Sequence, residues 1–288
     1  MPLAELTDVR CSYQITGTGD PLLMIVGLGS TFEKWGTVTD ELARSFTLVL
    51  VDNRDMGQSI AKRAPQSLAD FAGDFVELLD YLQLDRAHVL GLSLGGIIAQ
   101  RLAIDHPSRV DRLVLVSCTN RFGPYLNQMA KLVEQSLRRF PYDMFRRTME
   151  LLGTSPEYFD AHSAEIEREI TSTTGSVEQR SAIARQLLCL GCSDVAPAGE
   201  YRIESPTLVI AGERDLLIPP VCARRMAREI SGSEFFPIPG CGHNPLLEKP
   251  GVVIPRIVEF LSRSGPGSSQ KVREAEPVME QAMAAPDG

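Results

Sequence analysis

The sequence predicts an α/β fold, a mostly parallel sheet flanked by helices, with a helical cap inserted into it. Three observations predict it. Near-continuous apolar runs recur at Phe46-Thr-Leu-Val-Leu-Val-Asp52, His88-Val-Leu-Gly-Leu92, Leu113-Val-Leu-Val-Ser117 and Thr207-Leu-Val-Ile-Ala211, as expected of strands buried on both faces of a parallel sheet. Between them lie segments with apolar residues at helical spacing, which supply the crossovers that parallel strands require. From Thr119 to about Val195 the alternation stops, and helical segments follow one another without a strand-like run, over a length too great for a loop.

Residues 9–15 and 21–27 read as short strands on either side of Gly17-Thr18-Gly19-Asp20, a cluster of turn formers, and are expected to pair as a hairpin. Helices are expected from Trp35 to Ser45, Leu68 to Leu84 and Leu94 to Asp105. The second follows Ser67, a good N-cap, and carries Phe71, Phe75, Leu78, Leu79 and Leu82 in one stripe that faces the sheet. Residues 1–118 and 196–262 are assigned to the core and 119–195 to the cap. The first cap helix shows Met129, Leu132, Val133 and Leu137, the second Met144, Phe145, Met149 and Leu152, stripes that serve packing against the body or the lining of a pocket. A short strand-like run at Glu234 to Ile238 and a final helix complete the core. Residues 263–288 turn rich in Gly, Ser and Pro and then polar, the composition of a flexible tail.

A chain of 288 residues is near the upper end of what one core organises. Its apolar fraction of 43% and charged fraction of 23% are those of an ordinary globular protein. The net charge of -8 disfavours nucleic acid and anionic membranes as partners, since both repel an acidic protein. No apolar run approaches the roughly 20 residues that span a bilayer. The start MPLAELTDVRCSYQ lacks the basic and apolar blocks of a signal peptide. A cytoplasmic location is therefore expected, and a homo-oligomer is compatible with the sequence. The cysteines Cys11, Cys118, Cys189, Cys192, Cys222 and Cys241 are scattered, unlike a disulfide framework, and read as reduced thiols. Cys189-Leu-Gly-Cys192 has a zinc-like or redox spacing, but no second pair or nearby histidine supports it, so burial is the expected role.

Gly91-Leu92-Ser93-Leu94-Gly95 lies where a buried strand meets a helix, the context that the G-x-S-x-G motif requires. A sharp turn there thrusts the Ser93 hydroxyl into solvent, leaves no room for side chains on its glycine neighbours, and puts a helix N-terminus beneath it. A serine hydroxyl needs a base, and histidine is suited by a pKa near neutrality. Of four histidines, His88 is inside a strand, His106 follows a helix, and His162 is in the cap. His243, in the glycine-flanked loop Pro239-Gly-Cys-Gly-His-Asn-Pro245, is the candidate base.

An imidazole base needs a carboxylate on its other nitrogen to fix the tautomer. Asp215, in Ala211-Gly-Glu-Arg-Asp215 beyond the strand at 207–211, is the candidate, with Glu213 the alternative. The loop Cys118-Thr119-Asn120 offers no carboxylate. A tetrahedral intermediate needs two preorganised donors for its oxyanion. The backbone N–H groups of Leu94, just after the serine, and of Leu28, in Gly27-Leu28-Gly29-Ser30, are the candidates, with Gly29 an alternative to Leu28.

From residue 9 to about 262 the chain resembles the capped α/β hydrolases. Ser93, Asp215, His243, the Gly27 loop and Asp52-Asn-Arg-Asp-Met-Gly-Gln-Ser59 all fall in that superfamily's order. The last segment resembles its D-x-R-G-x-G-x-S turn with Asp55 for the first glycine, a variant similar to a polyketide methylesterase branch. Val26 stands where many relatives carry the histidine of an H-G pair that supports the oxyanion loop. Arg54 and Asp55 are expected to be scaffold hydrogen bonders. The resemblance implies hydrolysis of a small-molecule carboxylic ester or lactone through an acyl-enzyme, with no metal or organic cofactor. Carbon–carbon bond hydrolysis and perhydrolysis use the same three residues, and a ligand sensor would keep the fold without turnover.

Overall fold

The computed structural model describes residues 1–172, 175–190, 194–197 and 199–263. Its strands are β1 (Leu3–Glu5), β2 (Val9–Gly17), β3 (Asp20–Ile25), β4 (Phe46–Val51), β5 (Ile60–Ala61), β6 (Ala87–Leu92), β7 (Val110–Val116), β8 (Thr207–Gly212) and β9 (Glu234–Ile238). Its helices are α1 (Thr37–Leu42), α2 (Leu68–Tyr81), α3 (Leu94–Asp105), α4 (Pro124–Arg139), α5 (Tyr142–Gly153), α6 (Pro156–Ser172), α7 (Val177–Leu190), α8 (Pro220–Glu229), α9 (Pro245–Glu248) and α10 (Pro250–Leu261). The sheet order is β1-β2-β4-β3-β6-β7-β8-β9, with β5 also pairing β2. From β4 to β9 every pairing is parallel, and β2 joins β4 antiparallel. No described helix is long and apolar enough to cross a membrane.

The expected hairpin between the first two apolar runs does not form. β4 lies between them, pairing Tyr13 to Gly17 of β2 on one edge and Asp20 to Ile25 of β3 on the other. β3 is buried almost throughout, so its place is in the sheet interior with parallel neighbours on both edges. The glycines at the turn serve a different purpose from hairpin closure. Gly17 (φ +84°) and Gly19 (φ +120°) let the chain pass over the entry to β4, where a Cβ would come 2.3 Å from the Phe46 carbonyl oxygen and 2.4 Å from that of Ser45.

Strand periodicity puts alternate side chains on opposite faces, and each face has its own helical cover. Phe71, Phe75, Leu78, Leu79 and Leu82 of the α2 segment pack with α3 and α8 on one face. Val38, Leu42 and the α10 residues Val253, Ile254, Ile257 and Phe260 cover the other. The first expected crossover helix is shorter than its range, a single 3-10 turn (Phe32–Trp35) followed by α1. Each buried Leu, Ile, Val or Phe contributes about 1.5–3 kcal/mol.

Helices α4 to α7 form the cap. Val133, Leu137, Phe145 and Ile183 pack around Met56 and Leu217 of the core, with Met129, Met149 and Leu152 partly buried against them. Leu132 and Met144, expected in these stripes, are instead about half exposed, because the contact face of each helix is narrower than its apolar content. Beyond Arg263 the expected tail lies outside the described residues, as does Cys192. Cys11, Cys118, Cys189 and Cys241 are buried, Cys222 is half-buried, and none of the five forms a disulfide. Cys189 Sγ donates to the Pro65 carbonyl at 3.4 Å, and no group of His, Cys, Asp or Glu among the described residues is arranged to hold a metal ion.

Under the cap, Arg54 is almost fully buried and its guanidinium grips Asp74 through Nε and Nη2, the latter at 2.7 Å, while Nη2 also reaches the Asp70 carbonyl at 3.3 Å. Desolvation pushes Asp74 up to about 6 even with the cation beside it. Because this lies above the unfolded value near 3.8, the group favours folding most below pH 4 and progressively less as pH rises through 6. Arg54→Met is expected to lose about 3–5 kcal/mol in urea denaturation at pH 7.5, by stranding a buried carboxylate, and less at pH 5, where protonation relieves it.

Candidate active site

β6 ends at Leu92 and α3 begins at Leu94, so Ser93 alone makes the turn, at φ 55° and ψ -118°. A non-glycine residue there is strained, and the surroundings hold it. Its N–H donates to the Val116 carbonyl of β7 at 2.9 Å, and its carbonyl accepts the Ile97 N–H at 3.1 Å. Gly95 lies so close to β3 that a Cβ would come 2.1 Å from the Ile25 carbonyl oxygen. The Ser93 side chain is half-buried.

Asp215 and His243 leave the sheet at the same carboxyl edge, beyond β8 and β9. Parallel strands are spaced about 4.8 Å apart, so β9 begins some three spacings from β6. The loop after β9 narrows this gap by folding back over the end of β8, where the N–H of Glu213 donates to Ile238 at 3.0 Å and that of Arg214 to Cys241 at 2.8 Å. His243 Nδ1 then lies 2.7 Å from Asp215 Oδ2. Asp215 is almost fully buried, and its Oδ1 accepts the Ile218 N–H at 2.9 Å. A carboxylate held at both oxygens orients the ring it faces, and a proton on Nδ1 shared with it would leave Nε2 as the basic nitrogen. The Glu213 side chain is exposed and does not meet the ring. Among the described residues, the Ser93 hydroxyl forms no hydrogen bond, to His243 or to any other group.

The cap reaches this loop directly. The His243 N–H donates to the Gly153 carbonyl at the end of α5, at 2.5 Å. Glu248, buried in α9, accepts the N–H of Gly242 at 3.1 Å and that of Ser155 at 3.4 Å, joining the histidine loop to the α5–α6 connection. A Cβ on Gly242 would come 2.5 Å from the Gly153 carbonyl oxygen and 2.7 Å from Glu248.

The Gly27 to Ser30 turn approaches Ser93 from β3. A Cβ on Gly27 would come 3.4 Å from that of Ser93. The Ser30 N–H donates back to the Gly27 carbonyl at 3.3 Å, and Gly29 has φ +67°, as in a type II turn. The Gly29 N–H is taken by Gln186 Oε1 at 3.0 Å, whereas the N–H groups of Leu28 and Leu94 have no partner among the described residues.

A family profile described as the alpha/beta hydrolase fold matches residues 20–250. The chain belongs to the alpha/beta hydrolase family. A protein of Caulobacter sp. (strain K31) named "Putative carbamate hydrolase RutD" is 27% identical over 242 residues, 84% of this chain and 90% of that protein. A thermophilic esterase from Thermogutta terrifontis, solved with malate bound, matches at TM-score 0.77 and 26% identity, over 91% of this chain and 98% of its own. MGS-M2, an alpha/beta hydrolase enzyme from a Medee basin deep-sea metagenome library, matches at TM-score 0.85 over 92% and 98% of the two chains, and at 20% identity speaks for the fold alone.

Within this hydrolase framework the two sequence departures have structural answers. At Val26, the loop support comes from Asn53, whose Nδ2 donates to the Val26 carbonyl at 3.1 Å, and from Asp52, whose Oδ1 accepts the Phe32 N–H at 2.8 Å. Burial raises Asp52 to about 6 despite that bond. Asp55 adopts φ 60°, and its Oδ2 accepts from Arg185 of α7 at 2.6 Å and its Oδ1 from the Ala61 N–H at 3.1 Å. Both Arg54 and Asp55 therefore act as scaffold groups.

Glu248, Gln186 and Asn53 were invisible as site residues in the sequence. Glu248 meets Ser155 across 93 positions and Gln186 meets Gly29 across 157, so no local motif announces either. Glu248→Leu is expected to cost about 2–4 kcal/mol in urea denaturation, because two N–H groups lose a charged acceptor. Enhanced amide hydrogen exchange confined to 153–155 and 239–244 would show where the cost falls.

Proposed function

We propose that this hydrolase cleaves a carboxylic ester or lactone, with Ser93 as nucleophile, His243 as general base and Asp215 as the acid that orients it. The carrying observation is the 2.7 Å contact of a buried carboxylate with an imidazole, on loops at the sheet edge that bears the Ser93 turn. Kinship with an esterase at 26% identity supports the choice of substrate class.

The Ser93 side chain has no competing hydrogen bond among the described residues, and the reaction requires its hydroxyl to meet His243 Nε2. As the oxygen attacks the substrate carbonyl, its proton passes to Nε2, and Asp215 stabilises the imidazolium. The carbonyl oxygen becomes anionic and is met by the N–H groups of Leu94 and Leu28, the former reinforced by the α3 N-terminus. Collapse breaks the bond to the alkoxide oxygen, which leaves as the alcohol by taking the proton from His243. Water, deprotonated by the same imidazole, then attacks the acyl-enzyme, and collapse releases the acid as the Ser93 oxygen takes that proton back. Each step uses only these side chains and backbone amides. A carbamate ester would pass through the same sequence, and the 27% identical relative's name makes carbamates a necessary member of any substrate panel.

The test is turnover on a panel of p-nitrophenyl esters, lactones and carbamates. Ser93→Ala and His243→Ala are each expected to lose about 10⁴-fold or more in kcat with unchanged circular dichroism. A fluorophosphonate should modify Ser93, as read by peptide mass spectrometry. Modification elsewhere, or full activity of Ser93→Ala, would overturn the assignment, and no wild-type turnover on the whole panel would favour a ligand sensor.

A further inference from the structure

Gln186 is about 99% buried on α7 of the cap, and its carboxamide is half used. Since Gly29 supplies an N–H, the atom meeting it at 3.0 Å is the amide oxygen, leaving Nε2 buried without a partner among the described residues. An unpaired buried amide donor costs about 1–3 kcal/mol. A leucine would fill similar volume without that cost, so packing alone does not call for glutamine. The used half of the side chain is the acceptor.

That acceptor bears on the middle peptide of the Gly27–Ser30 turn. In a type II turn this peptide is held with Gly29 at positive φ, and rotating it by half a turn gives the type I form, which reverses the Gly29 N–H and the Leu28 carbonyl. Gln186 offers a partner only to the first form. Ile183, one helical turn earlier, contributes a second restraint, since a Cβ on Gly29 would come 3.0 Å from its side chain. Arg185, the residue before Gln186, is tied to Asp55 through Nη2 at 2.6 Å and fixes the helix on the core.

We infer that Gln186 is a positioning residue for the oxyanion hole: its amide oxygen holds the Gly27–Ser30 turn in the form in which the Gly29 N–H points to the cap, keeping the Leu28 carbonyl in one orientation and leaving the Leu28 N–H, on the preceding peptide, as the turn's free donor. This rests on the serine-hydrolase reading above. It makes the cap part of the apparatus that stabilises the tetrahedral intermediate, through a residue that need not touch substrate.

The test compares wild type with Gln186→Leu, or Gln186→Met should the leucine variant fail to fold, and with Gln186→Glu, which retains a carboxyl oxygen whether ionised or not. On the best ester of the panel, Gln186→Leu is expected to lower kcat about 10- to 100-fold, short of losing a hole donor outright, with KM within about threefold. Affinity for an arylboronic acid, which forms a tetrahedral adduct on serine, should fall by a similar factor. The melting temperature should change by only a few degrees, because the loss of the acceptor of the Gly29 N–H is offset by removal of the unpaired Gln186 Nε2, and Gln186→Glu should recover most of kcat. Unchanged kcat in Gln186→Leu beside an inactive Ser93→Ala would overturn the inference, as would parallel losses in kcat, KM and melting temperature without rescue by glutamate. Activity surviving in Ser93→Ala would instead remove the reading on which the inference rests.

Discussion

The parallel pairing of β4, β3, β6, β7, β8 and β9 is the constraint on which the rest depends. Parallel strands all finish at one edge, so the loops after β3, β6, β8 and β9 are obliged to meet there whatever their sequence separation. The pairing is secured by burial on both faces, with β4 and β8 fully enclosed. What remains is local work at the edge: a strained turn at Ser93, a fold-back over β8, and a tight turn beside β3.

Polar groups do that local work because buried backbone amides at the edge have no ladder to join. Asp215 satisfies Ile218 while facing the imidazole, Glu248 satisfies Gly242 and Ser155, Asn53 supports Val26, and Asp52 supports Phe32. Each carboxylate or amide thus removes a cost of burial and fixes a loop in the same act. Burial pushes one of these carboxyls, that of Asp52, up to about 6, as it does that of Asp74 beside Arg54.

Much of this was legible in the sequence, for reasons that lie in its chemistry. Apolar runs without alternation announce strands covered on both sides, and Gly91-Leu92-Ser93-Leu94-Gly95 at a strand–helix junction announces a sharp turn. Asp215 and His243 could be named because each follows a strand in a loop with few alternatives. The misplaced hairpin shows the limit: turn formers at Gly17–Asp20 reveal that the chain reverses, but not which strand will lie between the two arms. Likewise Leu132 and Met144 look like core in a periodic pattern yet remain exposed, since periodicity marks a face and not its width. Gln186 and Glu248 act only through neighbours distant in sequence, which a linear reading does not supply.

The contact between the Gly153 carbonyl and the backbone of the histidine loop carries an evolutionary consequence. A cap that only covered the sheet edge could be exchanged or lengthened with little effect on the loops beneath it. Here the end of α5 is bonded to the residue that bears the imidazole, so any insertion that shifts this helix also shifts the ring. Change in the cap should therefore be tolerated best on helix surfaces remote from 153–155, where it leaves the placement of the His243 ring alone.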